Sequence, residues 1–310
     1  MKAMVMHEFG GPEVLLAEDV PTPEIADGEI LVDVKAVGLN PIDYVARANG
    51  GPMRKSLEQS LPAILGWDIA GTVLETKSDQ FQADDRVFAL SKFPKITGGY
   101  AEFAAVPADE AVIIPANLSF EEAAAVPLAA LTAWQALVQT ADIQAGQRVL
   151  IHAAAGGVGH FAVQIAKHKG AYVIGTASAQ KADFLSGLGI DEVVDYSTQD
   201  VAEVVSDVDI VLHALPPDFR ESVSWPCLKE GGLLLSLLGP VPEEETTKYK
   251  TRAAQIGVRP DQAQLKEIAG LLEDGTFKVT LDKTYPLAEV GAAHSQIAER
   301  HTRGKVVLTV

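Results

Sequence analysis

One stretch constrains the architecture of this chain more than any other. The apolar run Val149-Leu150-Ile151-His152 passes directly into Ala153-Ala154-Ala155-Gly156-Gly157-Val158-Gly159, and a helix-forming segment over 158–169 comes next, stopped by Gly170. A strand, a glycine-rich turn and a helix in immediate succession open a βαβ unit. The turn matches the dinucleotide fingerprint, with Ala154 in the first glycine position, Gly156 in the second and Gly159 in the third. The missing Cβ at Gly156 lets backbone approach a pyrophosphate, and Gly159 permits close packing of helix on strand. The helix start offers unpaired N–H groups and a partial positive charge to an anion. Such a pattern alone also occurs in ligand-free turns; its place between a strand and a helix is the context that points to a nucleotide.

The same rhythm continues downstream of Gly170. Segments 171–176, 192–195, 209–214 and 232–238 read as strands, and 180–188 as a helix between the first two. The strands are nearly all apolar, the signature of a parallel sheet covered on both faces. The first hundred residues differ. Segments 29–37, 69–75 and 86–90 read as short strands, and Pro and Gly recur at Gly10-Gly11-Pro12, Pro21-Thr22-Pro23 and Gly50-Gly51-Pro52, which predicts a compact barrel-like domain. Ser119, with Glu121 and Glu122 behind it, caps a helix over 120–125, and a second helix is predicted over 129–140. The tail holds an amphipathic helix at 262–274, another at 288–300 and a strand at 305–310, while Glu243-Glu244-Glu245 reads as a solvated loop.

Composition narrows the partners. The 310 residues include 25 basic and 42 acidic side chains, a formal charge of −17 that disfavours nucleic acid and anionic lipid surfaces. A lone cysteine, Cys227, builds neither a disulfide nor a cysteine-rich zinc site; it reads as a small buried residue and suits a reducing cytoplasm. No apolar run approaches the roughly 20 residues of a membrane helix, and no signal-peptide pattern is evident at the N-terminus.

The end of the second strand bears on cofactor choice. NAD-specific sites place a carboxylate there to hold the ribose 2′-OH. Here the sequence is Ala177-Ser178-Ala179-Gln180-Lys181, without an acid. Ser178 donates a hydrogen bond and Lys181 brings charge to a 2′-phosphate, so NADPH is expected over NADH. Lys181 also reads, more plainly, as a solvated helix residue.

Assembled, the sequence resembles the medium-chain dehydrogenase/reductase superfamily, specifically its zinc-free quinone oxidoreductase branch. The resemblance spans nearly the whole chain. It rests on Val37-Gly38-Leu39-Asn40-Pro41-Ile42-Asp43-Tyr44, Leu65-Gly66-Trp67-Asp68-Ile69-Ala70-Gly71, Gly98-Gly99-Tyr100-Ala101-Glu102-Phe103, Leu131-Thr132-Ala133-Trp134, the glycine turn, and Gly304-Lys305-Val306-Val307-Leu308. It implies a doubly wound parallel Rossmann sheet (118–260) inserted in a GroES-like β-rich substrate domain (1–117 and 261–310). It implies Thr132 beside the nicotinamide, and Ala155, Gly156, Gly157 and Val158 at the pyrophosphate. Ser178, Lys181 and Tyr196 would surround the 2′-phosphate and adenosine ribose, with Leu215, Leu238 and Gly239 at the ends of the fourth and fifth strands. A homodimer through an edge strand near 252–258 is implied as well. Zinc-dependent members carry Cys and His where this chain has Asn40 and Trp67, so no metal is expected.

The implied activity is hydride transfer from NADPH to a quinone or an α,β-unsaturated carbonyl. Asn40 and Tyr44 are the polar candidates to meet the oxygen that gains charge, although Asn40 before Pro41 also suits a turn and Tyr44 suits barrel packing. The histidines share no metal spacing and read as surface or packing residues, and Asp43 and Asp68 as anchors of the barrel. Two other readings stay open: an enoyl-thioester reductase of the same fold, and a non-catalytic NADPH-binding redox sensor.

Overall fold

The structure, a computed structural model, describes residues Met1–Val310. The chain divides into two units. The first comprises Met1–Leu131, Arg259–Gly275 and Val279–Val310; the second comprises Thr132–Val258 and Thr276–Lys278.

In the first unit, Glu29–Gly38 is the central strand. It pairs antiparallel with Asp68–Thr76, with Phe103–Pro107 and, at its end, with the C-terminal strand Lys305–Thr309. Its alternation explains its place: Ile30, Val32, Val34 and Ala36 are buried while Leu31, Asp33 and Lys35 reach the other face. Arg86–Leu90 and Ala111–Ile113 extend the sheet on one side, and Leu281–Pro286 joins beyond Lys305–Thr309 on the other. A small sheet of Leu15–Asp19, Lys2–Met6 and Ala63–Ile64 stands apart. The tail therefore belongs to this unit by strand pairing. Two helices were not legible in this β-rich region: Pro41–Asn49, entered at Asn40 and left at Gly50 with φ 79°, and the short Arg54–Glu58.

The second unit is a six-stranded sheet, parallel throughout. Its order is Glu192–Asp195, Tyr172–Ala177, Arg148–Ile151, Val208–His213, Leu228–Ser236, Arg252–Gln255. The order runs backwards to Arg148–Ile151 and then forwards from Val208–His213, the doubly wound pattern whose reversal marks a ligand crevice at the strands' carboxyl ends. Leu150, Ile174, Val194, Val211 and Cys227 are buried in one core cluster.

The compact units divide after Leu131 and after Val258, where the expected bounds were 117 and 260. Helices Phe120–Ala124 and the start of Pro127–Trp134 are held by the first unit: a Cβ on Gly38 would lie 2.0 Å from the Ala124 carbonyl, and Leu128 N–H donates to Asp68 at 2.8 Å. The helix expected over 129–140 is α-helical only to Trp134; Gln135–Thr140 is a π-helical turn closed by Ala141 N–H to the Ala136 carbonyl. Glu243–Glu245 is no loop but the first turn of helix Glu243–Tyr249, where three carboxylates meet the positive helix end.

Candidate functional site

The glycine turn leaves strand Arg148–Ile151 and enters helix Gly157–His168. The hydrogen-bond ladder of that helix begins with His160 N–H to the Gly156 carbonyl at 3.0 Å, so the first-turn amides of Gly157, Val158 and Gly159 have no intrahelical acceptor. The glycines do different work. A Cβ on Gly159 would lie 2.3 Å from the Ala153 carbonyl and 2.7 Å from Ala154, so packing alone requires glycine there. A Cβ on Gly156 would meet only the Ala153 carbonyl at 3.3 Å, and its φ of −81° is open to any residue. A side chain at 156 would need that one carbonyl to give by a few tenths of an ångström, a far smaller obstacle than the backbone clash at 159. The bare backbone there is a cradle that a side chain would fill, which is what a pyrophosphate requires. Ala154 and Ala155 are buried beneath it. Ala153 sits at φ 52°, held by Thr176: Ala153 N–H donates to Thr176 Oγ1 at 3.2 Å and Ala154 N–H to the Thr176 carbonyl at 3.1 Å.

Ser178 follows strand Tyr172–Ala177, and Lys181 closes the short turn after it, its N–H bonded to the Ser178 carbonyl at 2.9 Å. Tyr196 follows the neighbouring strand, whose Asp195 is in register with Ala177, and it is 58% exposed. The three are thus brought to adjacent strand ends. The second strand lacks an acid, as read from sequence, but the third delivers one: the Asp195 carboxylate accepts from Ser197 Oγ at 2.7 Å, from Ser197 N–H, from Thr198 Oγ1, and from Ala179 N–H. Those hydrogen bonds, the Ser197 hydroxyl's first, hold its pKa below the usual carboxylate range. Asp195 shapes the turn and its lone pairs are largely engaged. Only the parallel register could have revealed it.

Leu215 is half-buried after the fourth strand, and Leu238 is 41% exposed after the fifth. The two loops lie together, since a Cβ on Gly239 would sit 3.7 Å from Pro217. Thr132 is buried within helix Pro127–Trp134.

In the first unit, Asn40 caps helix Pro41–Asn49 and Tyr44 lies within it, and their situations differ. Asn40 is 3% exposed and committed to the chain. Its Nδ2 donates to Asp68 Oδ2 at 2.9 Å, its Oδ1 accepts from Lys305 Nζ, and its backbone N–H donates to Asp43 Oδ2 at 2.7 Å. Lys305 also reaches the Leu39 carbonyl at 2.7 Å and Asp68 at 3.4 Å. Burial pushes the Asp68 carboxyl up and the Lys305 amine down, and each partly offsets the shift of the other. The Tyr44 side chain is half-buried and bonded to no other protein group.

The same helix also contributes Asp43 and Arg47 to a hydrogen-bonded chain that sequence reading missed. Arg47 Nε donates to His294 Nδ1 at 3.2 Å, His294 Nε2 lies 2.9 Å from Tyr100 Oη, and Tyr100 O–H donates to Asp43 Oδ1 at 2.8 Å. Because Arg47 can only donate, the imidazole proton sits on Nε2 and the tyrosine proton points at Asp43. Burial lowers His294 to about 3, with Arg47 adding to it. Burial also raises Asp43 to about 7, against the pull of Tyr100 O–H and Asn40 N–H. The spacing of Asn40 and Asp43 is that of a capping box, the one sequence signal that could have found part of this chain. Trp67 is fully buried, with Nε1 donating to the Lys95 carbonyl at 2.7 Å and its ring edge-on to Phe93.

A β-rich unit completed by the chain's own tail is joined in one chain to a doubly wound sheet with a glycine turn at a helix start, the arrangement of nucleotide-dependent dehydrogenases and reductases. Comparison with known proteins agrees. Residues 26–116 match the alcohol dehydrogenase GroES-like domain and residues 188–308 the zinc-binding dehydrogenase family. A chloroplastic quinone-oxidoreductase homolog of Spinacia oleracea is 34% identical over 99% of both chains. An NADPH-dependent alkenal/one oxidoreductase of Arabidopsis thaliana is 32% identical over 99% of this chain and 79% of its own. The structure of Escherichia coli quinone oxidoreductase complexed with NADPH superposes with a TM-score of 0.89 at 31% identity, covering all of both chains. The chain belongs to the medium-chain dehydrogenase/reductase superfamily, in its quinone oxidoreductase-like group.

Proposed function

We propose that this protein is a zinc-independent, NADPH-dependent reductase of quinones or α,β-unsaturated carbonyls. The observation that carries the reading is the bare backbone at Gly156, at the start of helix Gly157–His168, where a side chain would crowd one carbonyl and cover the first-turn amides. The relatives' names, quinone oxidoreductase and NADPH-dependent alkenal/one oxidoreductase, support the reaction class.

When bound, NADPH supplies the hydride. The chain's residues bind and orient. Ala155, Gly156, Gly157 and Val158 hold the pyrophosphate through backbone, Ser178 and Lys181 the 2′-phosphate, and Tyr196 the adenosine side. Thr132, Leu215, Leu238 and Gly239 contact the rest of the cofactor. Tyr44 donates its O–H to the substrate oxygen on which negative charge develops. Asn40, spent on Lys305, Asp68 and Asp43, acts by fixing the start of Tyr44's helix. Zinc independence is supported by donor chemistry: an amide and a spent indole N–H stand at positions 40 and 67, and Cys227 is buried in the core of the other unit.

A homodimer through the outer edge of Arg252–Gln255, the last strand of its sheet, and a cytoplasmic location complete the reading. No helix is long and apolar enough to cross a membrane. The test is oxidation of NADPH, followed by its absorbance, with 1,4-benzoquinone, an alkenal and crotonyl-CoA in parallel. Turnover of the first two is expected. Turnover of crotonyl-CoA alone would make the protein an enoyl-thioester reductase, and binding without turnover would make it a sensor.

A further inference from the structure

A buried hydrogen-bonded chain crosses the second unit from the glycine turn to the loop after the fourth strand, and the position of every proton in it is set by its end. The Pro216 carbonyl can only accept, so His213 presents N–H at Nε2 (3.2 Å) and a bare nitrogen at Nδ1. Ser224 Oγ lies 2.8 Å from that nitrogen and donates to it. The Ser224 oxygen then receives His152 Nε2–H at 3.0 Å, which leaves His152 Nδ1 to accept from Thr176 O–H at 3.2 Å. Thr176 Oγ1 receives the backbone N–H of Ala153 at 3.2 Å. All five bonds point one way, and His152, Thr176, His213 and Ser224 are each no more than 3% exposed.

Both imidazoles are neutral, as the chain requires: burial lowers His152 to about 3 and His213 to about 4. Helix Arg220–Val223, which leads into Ser224, extends the linkage. Arg220 is equally buried and donates Nη2 to the Pro240 carbonyl at 3.0 Å, in the loop after the fifth strand. The turn at the far end needs support. Ala153 holds a left-handed φ of 52° without being glycine, a conformation that persists only where neighbours impose it.

We propose that this chain is a brace that pre-forms the nucleotide site, with Thr176, His152, Ser224 and His213 as positioning residues for the turn at 153–159 and the loop at 215–219. The proposal rests on the reading of this protein as an NADPH enzyme and deepens it: cofactor affinity depends on groups buried behind the loops. A loop already held in its bound shape loses less freedom when the ligand arrives.

The test compares wild type with Ser224→Ala, Thr176→Val and Thr176→Ser. It uses calorimetric titration of NADPH, steady-state kinetics, and hydrogen exchange of the ligand-free protein. Ser224→Ala and Thr176→Val are expected to weaken NADPH about tenfold while kcat at saturating NADPH stays within about twofold. Their amides at 153–159 and 215–219 should exchange about tenfold faster. Thr176→Ser keeps the hydroxyl and should restore both readouts to within about threefold of wild type. Wild-type affinity and exchange in Thr176→Val and Ser224→Ala, even with a lowered Tm, would overturn the brace. If Ser224→Ala does not fold, the Thr176 pair decides. If wild type binds no NADPH, the cofactor reading fails, and exchange at the two segments still decides the brace.

Discussion

Each unit contains a buried, one-directional hydrogen-bonded chain, and the two differ in charge. The first runs from the Arg47 guanidinium through His294 and Tyr100 to the Asp43 carboxyl, beside the Lys305–Asp68 pair. The second runs from Ala153 N–H to the Pro216 carbonyl and is neutral throughout. The difference teaches what each can tolerate. Cutting an ionic chain strands a charge in a dry interior, whereas cutting a neutral one strands a dipole. The ionic chain therefore anchors the barrel, and the neutral one adjusts loops.

The contrast breaks first at Lys305. Lys305→Met removes the only cation beside Asp68 and leaves Asn40 Oδ1 without its donor. It is expected to cost about 3–5 kcal/mol in urea denaturation. A loss under about 1 kcal/mol would mean that the pair is weakly coupled.

Next come the two neighbours on one helix. Asn40→Ala should cost about 1–3 kcal/mol, because Lys305 and Asp68 lose a buried partner. Tyr44→Phe breaks no internal bond and should leave Tm unchanged while lowering kcat about tenfold at unaltered NADPH affinity. Wild-type kcat in Tyr44→Phe would remove it from the chemistry. Smaller again, Lys181→Ala should raise KM for NADPH about fivefold and leave NADH unaffected; an unchanged preference would unseat Lys181 from the 2′-phosphate.

The gentlest probe is pH. His152 and His213, lowered to about 3 and about 4, contribute stability that is complete above about pH 6.5 and lost as pH falls through those values. The first unit holds opposing groups: His294, lowered to about 3, behaves likewise, but Asp43, raised to about 7, contributes stability complete below about pH 4 and lost as pH rises through about 7. Acid should therefore loosen the second unit first. Hydrogen exchange from pH 6.5 to pH 4, corrected for intrinsic rates, should show 148–213 losing protection before 29–76. The reverse order would mean that the first unit's ionic chain is the weaker.

How legible each region was depended on how local its causes are. The glycine turn, its strand and its helix were readable because neighbours in sequence build them. Helix Pro41–Asn49 was not, because a short helix in a β-rich stretch carries little periodicity, although Asn40 and Asp43 did mark its start. Glu243–Glu245 looked like a solvated acidic run and proved to be a helix start, since charge alone does not distinguish the two. Asp195 escaped notice because a parallel neighbour, rather than the chain around Ser178, brings it to that corner.

Sequence alone thus determined the sheet type and the strand–glycine turn–helix unit, since each rests on spacing within a few residues, while the family resemblance marked positions 40 and 67. Tertiary structure decided the rest. Asn40 became an anchor and Tyr44 stayed available because Asp68 and Lys305 arrive from 28 and 265 residues away. Two histidines that read as packing became links in a brace because Ser224, 72 residues from His152, closes the gap between them. Hydrogen bonds act over about 3 Å in space whatever the distance along the chain, so only the fold could say which of these polar groups would meet.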